Sequence, residues 1–496
     1  MRIDNACYDI VVLGGGIVGL WTAMEAEAAG LSCCVIEIGG RDLRRADEVT
    51  PALVFREREN LGATRARHHV LTGNSAFWGG ALIRNPRNSL ARVLGCDRND
   101  PALAEVAAAY DRVEQILQVS RAALTSPKAP QRMADLDVQE TIVLPGKRRG
   151  LWSKYLAAKH DTTGARLVLT EAQVDCVEFE ATNTLRRVRM SRRNGTPSCW
   201  ITGRAFVLSM GAIDSCLFAQ EFLGDHLSPA RAAGIGRYLH DHWSVPVAEL
   251  RWRNGTALSA LFPPKFARQG IVGRRLVFAN GFFHFVADYD AMPPYDRVKA
   301  LLSARQRGEP ATAIFRLGLR TLARPILLAR AGMHCLTTRE MLVPDGSLVQ
   351  MLVDFESAAD RENRVARGGA SAAMTWAVRP ADEQAFHRLL CAHARPLGEA
   401  VQAAGLKLHW LVDPTNADAC SAYLRKKAID AYHLGGGLSG KPTDADAKLT
   451  SATGQLLGTD NLFVMGTASF HAPGVANPVL TLLARASALV SHLAKG

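Results

Sequence analysis

Residues 8–13, YDIVVL, are an almost continuous apolar run of strand length, as expected of a strand buried on both faces of a sheet. A helical segment follows from Ile17 to about Ala29, and Gly30 stops it. Residues 32–38, SCCVIEI, predict a second, parallel strand with Glu37 near its end. Farther on, 166–178 (RLVLTEAQVDCVE) predict paired strands. Residues 204–217 (RAFVLSMGAIDSCL) predict another buried strand, then Gly211, then a helix beginning near Ile213. The segments 351–365 and Trp376 suggest sheet strands with Arg-Glu-Asn-Arg at a turn. Helical patterning over 310–332 is interrupted by Pro325, which predicts two short helices. Near the end come a strand from Leu462 to Met465, a Gly-Thr-Ala-Ser turn, a loop ending in Asn477-Pro478 and a long apolar helix. There is no internal repeat and no low-complexity tract.

Between the first strand and its helix lie Gly14, Gly16 and Gly19 in G-x-G-x-x-G spacing. Gly14 permits the tight turn, Gly16 lets a pyrophosphate approach the backbone, and Gly19 lets helix and strand pack closely. The helix N-terminus offers free N–H groups and partial positive charge to phosphates. Glu37 can accept both ribose hydroxyls and would repel a 2′-phosphate. Strand, turn, helix, strand and acid together predict a dinucleotide site, without choosing between FAD and NAD.

Length and composition bound the rest. A chain of 496 residues suggests two or three domains. Hydrophobic content of 48% and charged content of 21% are those of a soluble globular protein, and no apolar stretch is long enough to span a membrane. Residues 1–7 lead directly into the first strand and leave no room for a signal peptide, so the expected location is cytoplasmic. Ten scattered cysteines without a C-x-x-C read as reduced core residues, not as zinc, iron–sulfur or disulfide sites. The formal net charge is +12. Much of that excess lies in 296–332, where arginines interleave with Leu, Ile and Phe. No recognition motif accompanies the charge, so nucleic acid is not an expected partner. A lid over the active site and a peripheral contact with the inner face of a membrane both remain open for this segment.

The C-terminal stretches AYHLGGGLSG (431–440) and GTDNLFVMGTASFHAPGVANPVLTLLARASALVSHL (458–493), with the nucleotide motif, resemble the glucose–methanol–choline (GMC) family of flavin oxidoreductases. The resemblance is strong at both ends and weak in the middle. It implies an α/β fold: a Rossmann-like FAD-binding domain, discontinuous in sequence, with an inserted antiparallel-sheet substrate domain. The expected division is 1–245 for the first part of the FAD domain, with a flavin-contacting loop at 65–90. Residues 246–420 would be the substrate domain, and 421–496 the return to the FAD domain. The resemblance implies that His433 is the base and Asn477 its partner, oxidising a CH–OH group by hydride transfer to the flavin. A base of this kind needs a pKa near neutrality, which an unperturbed histidine has.

The resemblance also assigns Asn74, Ser75, Val174, Gly211, Gly466, Thr467 and Pro478 to the cofactor. Phe77 stands where some family members carry a covalently bonded histidine, so FAD is expected to be non-covalent. His240 and His242 flank Asp241 in what reads as a structural turn and not a metal site, with no third ligand group nearby. His471 is expected at the pocket mouth. The substrate is expected to be a sugar, aminosugar or other polyol, and the electron acceptor, whether oxygen, a quinone or a redox protein, is open. A flavin enzyme of another class, such as an amine oxidase or hydroxylase, and a non-catalytic flavoprotein are the alternatives.

Overall fold

In the computed structural model, residues 6–41, 51–76, 78–119, 137–144, 166–180, 183–192, 198–267, 270–287, 301, 304, 310–322, 325–440 and 447–495 are described. Phe77 lies outside them, as does much of 296–309.

The first apolar run forms the strand Ala6–Leu13, followed by the helix Ile17–Ala28 and the strand Cys33–Ile36. The two strands are parallel, with Ile10 opposite Cys33 and Leu13 opposite Ile36. Val11, Val12, Cys33 and Cys34 are fully buried, which explains the unbroken apolar run: both faces of this sheet are covered. Each such aliphatic side chain contributes about 1.5–3 kcal/mol by leaving water. The second strand is shorter than its sequence suggests, so Glu37 sits just past its end.

On the other side the first strand pairs in parallel with Cys199–Leu208. That long strand divides its outer edge between two neighbours. Its first half pairs with the antiparallel strand Leu185–Arg192, and Phe206–Leu208 pair in parallel with Leu462–Val464. With Arg166–Leu169 and Ala172–Phe179 these make a seven-stranded sheet. The helix predicted to begin near Ile213 starts at Gly211 and runs to Phe222, so its N-terminus lies directly after the strand end.

A second sheet has nine strands, all antiparallel. Its centre is His242–Arg251, Leu348–Glu356, Gly281–Ala287 and Gly270–Phe278. Two of its strands, Ala81–Leu82 and Asp137–Val143, come from within 1–245, and His242–Arg251 straddles the expected boundary at 245. The two sheets are thus interleaved along the chain more than the expected division allows. The helix Pro380–Ala403 lies against the second sheet, with Phe386 stacked on Phe355 at 5.7 Å between ring centroids. A third, three-stranded sheet joins Ala52–Glu57 to Ser371–Trp376 and Arg364–Gly368. Pro325 separates two helices as predicted, Ala311–Leu322 and Pro325–Thr338.

Candidate active site

The turn between the first strand and its helix opens one end of a cavity of about 1010 Å³. Gly14 has φ +105°, and a Cβ there would meet the Ser209 carbonyl oxygen at 2.7 Å. At Gly19 a Cβ would fall 2.1 Å from the Gly14 carbonyl oxygen, so this position allows helix and turn to touch. Gly19 does not line the cavity; Gly14 and Gly16 do. A Cβ on Gly16 or Gly466 would meet almost nothing of the protein and would instead fill the cradle.

Glu37 lies beside the turn, buried, with its carboxylate accepting the N–H of Gly15 at 2.6 Å and of Gly39 at 2.8 Å. Burial pushes its carboxyl up to about 7, against the pull of those two N–H donors. Val174, Asn74, Ser75, Gly211, Gly466, Thr467 and Pro478 all line the same cavity. Ser75 donates its hydroxyl to the Thr72 carbonyl, and Asn74 accepts the His68 N–H. Open backbone at the glycines, a carboxylate for ribose and the helix N-terminus at Gly211 form a set that fits the FAD the resemblance implies.

His433 and Asn477 meet on the wall of the same cavity. An Asn477 side-chain nitrogen is 2.9 Å from His433 Nε2, across 44 positions of sequence. Both line the cavity. The His433 backbone N–H donates to both oxygens of Asp241 at 3.1 Å, which fixes the residue's height against the second sheet. Burial, and then the charge of Arg275, push the His433 imidazole down to about 4. The expectation of a base near neutrality is thereby corrected: low polarity and a nearby cation both disfavour the imidazolium. At neutral pH the ring is uncharged, an acceptor that holds a proton weakly.

The pair His240 and His242 takes structural roles. His240 Nε2 lies 2.8 Å from the Phe470 carbonyl, and His242 Nε2 lies 2.5 Å from that of Gly474. These bonds tie the His-Asp-His segment to the loop that delivers Asn477. A third potential ligand does lie nearby, contrary to the sequence expectation: Asp241, His242 and His433 offer ligand atoms within 4.8 Å of one another. The Asp241 oxygens, however, are taken by the N–H groups of His242 and His433. The His242 ring meets the His433 ring edge-on at 5.5 Å. His471 departs from expectation. It is buried, its Nε2 is 3.3 Å from the Thr450 carbonyl, and it does not line the cavity. The loop folds inward there and packs the ring against Gly95.

Three groups went unread in the sequence. Arg275 is buried, with its Nε 2.9 Å from Gln139 Oε1, another nitrogen on the Val475 carbonyl, and its guanidinium 4.0 Å over the Phe282 ring. Among the described residues its Nη1 has no hydrogen-bond partner, and neither has Asp354 Oδ1. Burial pushes the guanidinium down to about 9, with Asp354 opposing. His284 Nε2 lies 3.5 Å from Asp354. Asp354 lines the cavity with His433 and Asn477, whereas Arg275 lies behind the wall and acts on His433 through its charge. No local motif marks them; they come from adjacent strands, whose register alone sets Asp354 opposite Phe282.

Residues 360–486 match the family model of the GMC oxidoreductases. No curated protein sequence matches the chain significantly. Solved structures share its fold over its full length. A fungal aryl-alcohol oxidase is 16% identical, with a TM-score of 0.60, covering 100% of this chain and 99% of its own. An R554K variant of Aspergillus oryzae RIB40 formate oxidase, described for its effect on FAD modification, is 13% identical with a TM-score of 0.57, covering 99% and 98%. Pyridoxine 4-oxidase from Mesorbium loti is 15% identical with a TM-score of 0.55, covering 98% of each chain. The C-terminal segment 360–486 is thus that of a GMC oxidoreductase, and the chain as a whole has the fold of these three oxidases.

Proposed function

We propose that the protein is an FAD-dependent oxidoreductase that oxidises the CH–OH group of a polar alcohol, a sugar, aminosugar or other polyol. The observation that carries this reading is the His433–Asn477 pair on the wall of the same cavity that the glycine turn and Glu37 line. FAD, when bound, supplies a two-electron acceptor for the hydride leaving the carbinol carbon. The chain supplies the rest. His433, neutral at physiological pH, takes the hydroxyl proton. Asn477 orients the same oxygen, and Asp241 holds His433 in place through its backbone. A positioned base of this kind contributes typically ~10²–10⁴-fold. The proton taken by His433 faces the Arg275 charge, so the site releases it readily to the next acceptor.

Support for a polar substrate comes from Asp354 Oδ1, on the cavity wall beside His433 and Asn477. Buried polar atoms without partners are costly, at roughly 1–3 kcal/mol each and more when charged, unless a ligand or water completes them. A substrate hydroxyl can donate to this oxygen. Non-covalent attachment of FAD remains part of the proposal.

The test is anaerobic mixing of the yellow holoenzyme with a panel of sugars, polyols, simple alcohols and amines. Bleaching by a polyhydroxylated alcohol is the expected result. Bleaching by amines alone, or by nothing in the panel, overturns the reading.

A further inference from the structure

Among the described residues, the helices Ala311–Leu322 and Pro325–Thr338 carry the largest concentration of exposed apolar side chains. Phe315 is 68% exposed, Leu319 55%, Ile326 78%, Met333 63% and Leu336 80%. Phe315 and Leu319 are four residues apart and share one helix face. Ile326, Met333 and Leu336 fall within one narrow arc of the second helix. No residue of either helix lines the active-site cavity, and neither packs extensively against another described element. A lid would bury these side chains over the cavity; here they face outward.

The charge around them is one-sided. Residues 311–338 hold Arg316, Arg320, Arg324 and Arg330 and no aspartate or glutamate. Arg316 and Arg330 are exposed beside the apolar stripes. A second copy of the same face would set arginines against arginines, so self-pairing is disfavoured by the same residues. No helix is long and apolar enough to cross a membrane. Short helices with an apolar stripe and a basic flank suit the plane of a membrane interface instead. There the apolar groups enter the acyl boundary and the guanidinium groups meet lipid phosphates.

We propose that this helix pair docks the enzyme on an anionic phospholipid surface. The inference does not rest on the redox reading, because binding is measured without turnover.

The experiment is cosedimentation of the holoenzyme with phosphatidylcholine vesicles, with and without phosphatidylglycerol, at low and high salt. Binding should require phosphatidylglycerol and weaken with salt. Each arginine near such a surface is worth about fivefold in affinity, so Arg316→Gln with Arg330→Gln should weaken binding about 30-fold. Phe315→Ser with Leu319→Ser should release the protein while its flavin content stays unchanged, which controls for folding. Vesicle binding unaffected by either pair of substitutions overturns the proposal. So does an absence of vesicle binding, whether the protein is monomeric or forms a dimer that Phe315→Ser with Leu319→Ser dissolves.

Discussion

Glu37 gives a sharp test, because its carboxylate is held by the protein before any ligand arrives. Its two oxygens accept from Gly15 and Gly39, yet burial wins and pushes the group from its ordinary 4.5 up to about 7. Between those values the folded, flavin-free protein keeps a proton that the unfolded chain has lost. Its contribution to stability is therefore fully present below about pH 4.5 and is lost as pH rises through about 7. A shift of roughly 2.5 units, at about 1.4 kcal/mol per unit, amounts to about 3.5 kcal/mol.

The perturbation is Glu37→Gln, which removes the titration. The glutamine turns an amide NH₂ toward one of the two backbone N–H groups, a cost that is the same at every pH. Flavin-free wild type and variant are compared by urea unfolding at about pH 5 and about pH 8. The difference between them should move by about 2.5 kcal/mol in favour of the variant at the higher pH. Other titrating groups are common to both proteins and cancel. FAD affinity is a second readout. The ionised carboxylate accepts both ribose hydroxyls, so wild-type affinity should rise by up to about tenfold per pH unit below 7, while that of the variant stays flat. A wild-type-to-variant stability difference that does not change with pH would refute the assignment of a buried, raised carboxyl at this turn.

Other outcomes follow from the catalytic end. His433→Ala should retain flavin but slow its reduction by roughly 10²–10⁴, and Asn477→Ala should cost less; stopped-flow reduction with a turned-over alcohol measures both. Because His433 is pushed down to about 4, its base form persists through the neutral range, and the reduction rate should fall only in strong acid. An acid limb near 6.5, the value of an unperturbed imidazole, would contradict this. Arg275→Met removes the neighbouring cation and should move that limb to higher pH; no movement in the pH profile would separate Arg275 from His433 electrostatically. Acid precipitation should leave FAD in the supernatant, and flavin remaining on the pellet would show a covalent bond.

What was legible in the chain was what is local. The run YDIVVL, the three glycines and Glu37 lie within thirty residues, and each follows from strand, turn or helix chemistry alone. Pro325 announces a helix break in the same way. His433 and Asn477 were legible through resemblance; the 2.9 Å between them belongs to the fold. Arg275, His284 and Asp354 were hidden because their roles depend on strand register. The depressed pKa of His433 was hidden because burial is a property of the assembled molecule. His471 misled for the same reason. Its loop position suggested the pocket mouth, but its backbone N–H pairs with the Val93 carbonyl and draws it inward.

The divided edge of the strand Cys199–Leu208 bears on how the molecule comes into being. Phe206–Leu208 acquire their outer neighbour only from Leu462–Val464, more than 250 positions later. The Phe206 N–H waits for the Asn461 carbonyl, and the Leu208 carbonyl for the Met465 N–H. During synthesis, a fully apolar sheet margin therefore stands open until Leu462–Val464 have left the ribosome. Such a margin is a template for pairing with other chains. Distant contacts of this kind also slow folding. Premature termination anywhere before about residue 465 leaves the first sheet with an uncapped edge and without Asn477, a product expected to aggregate or be degraded.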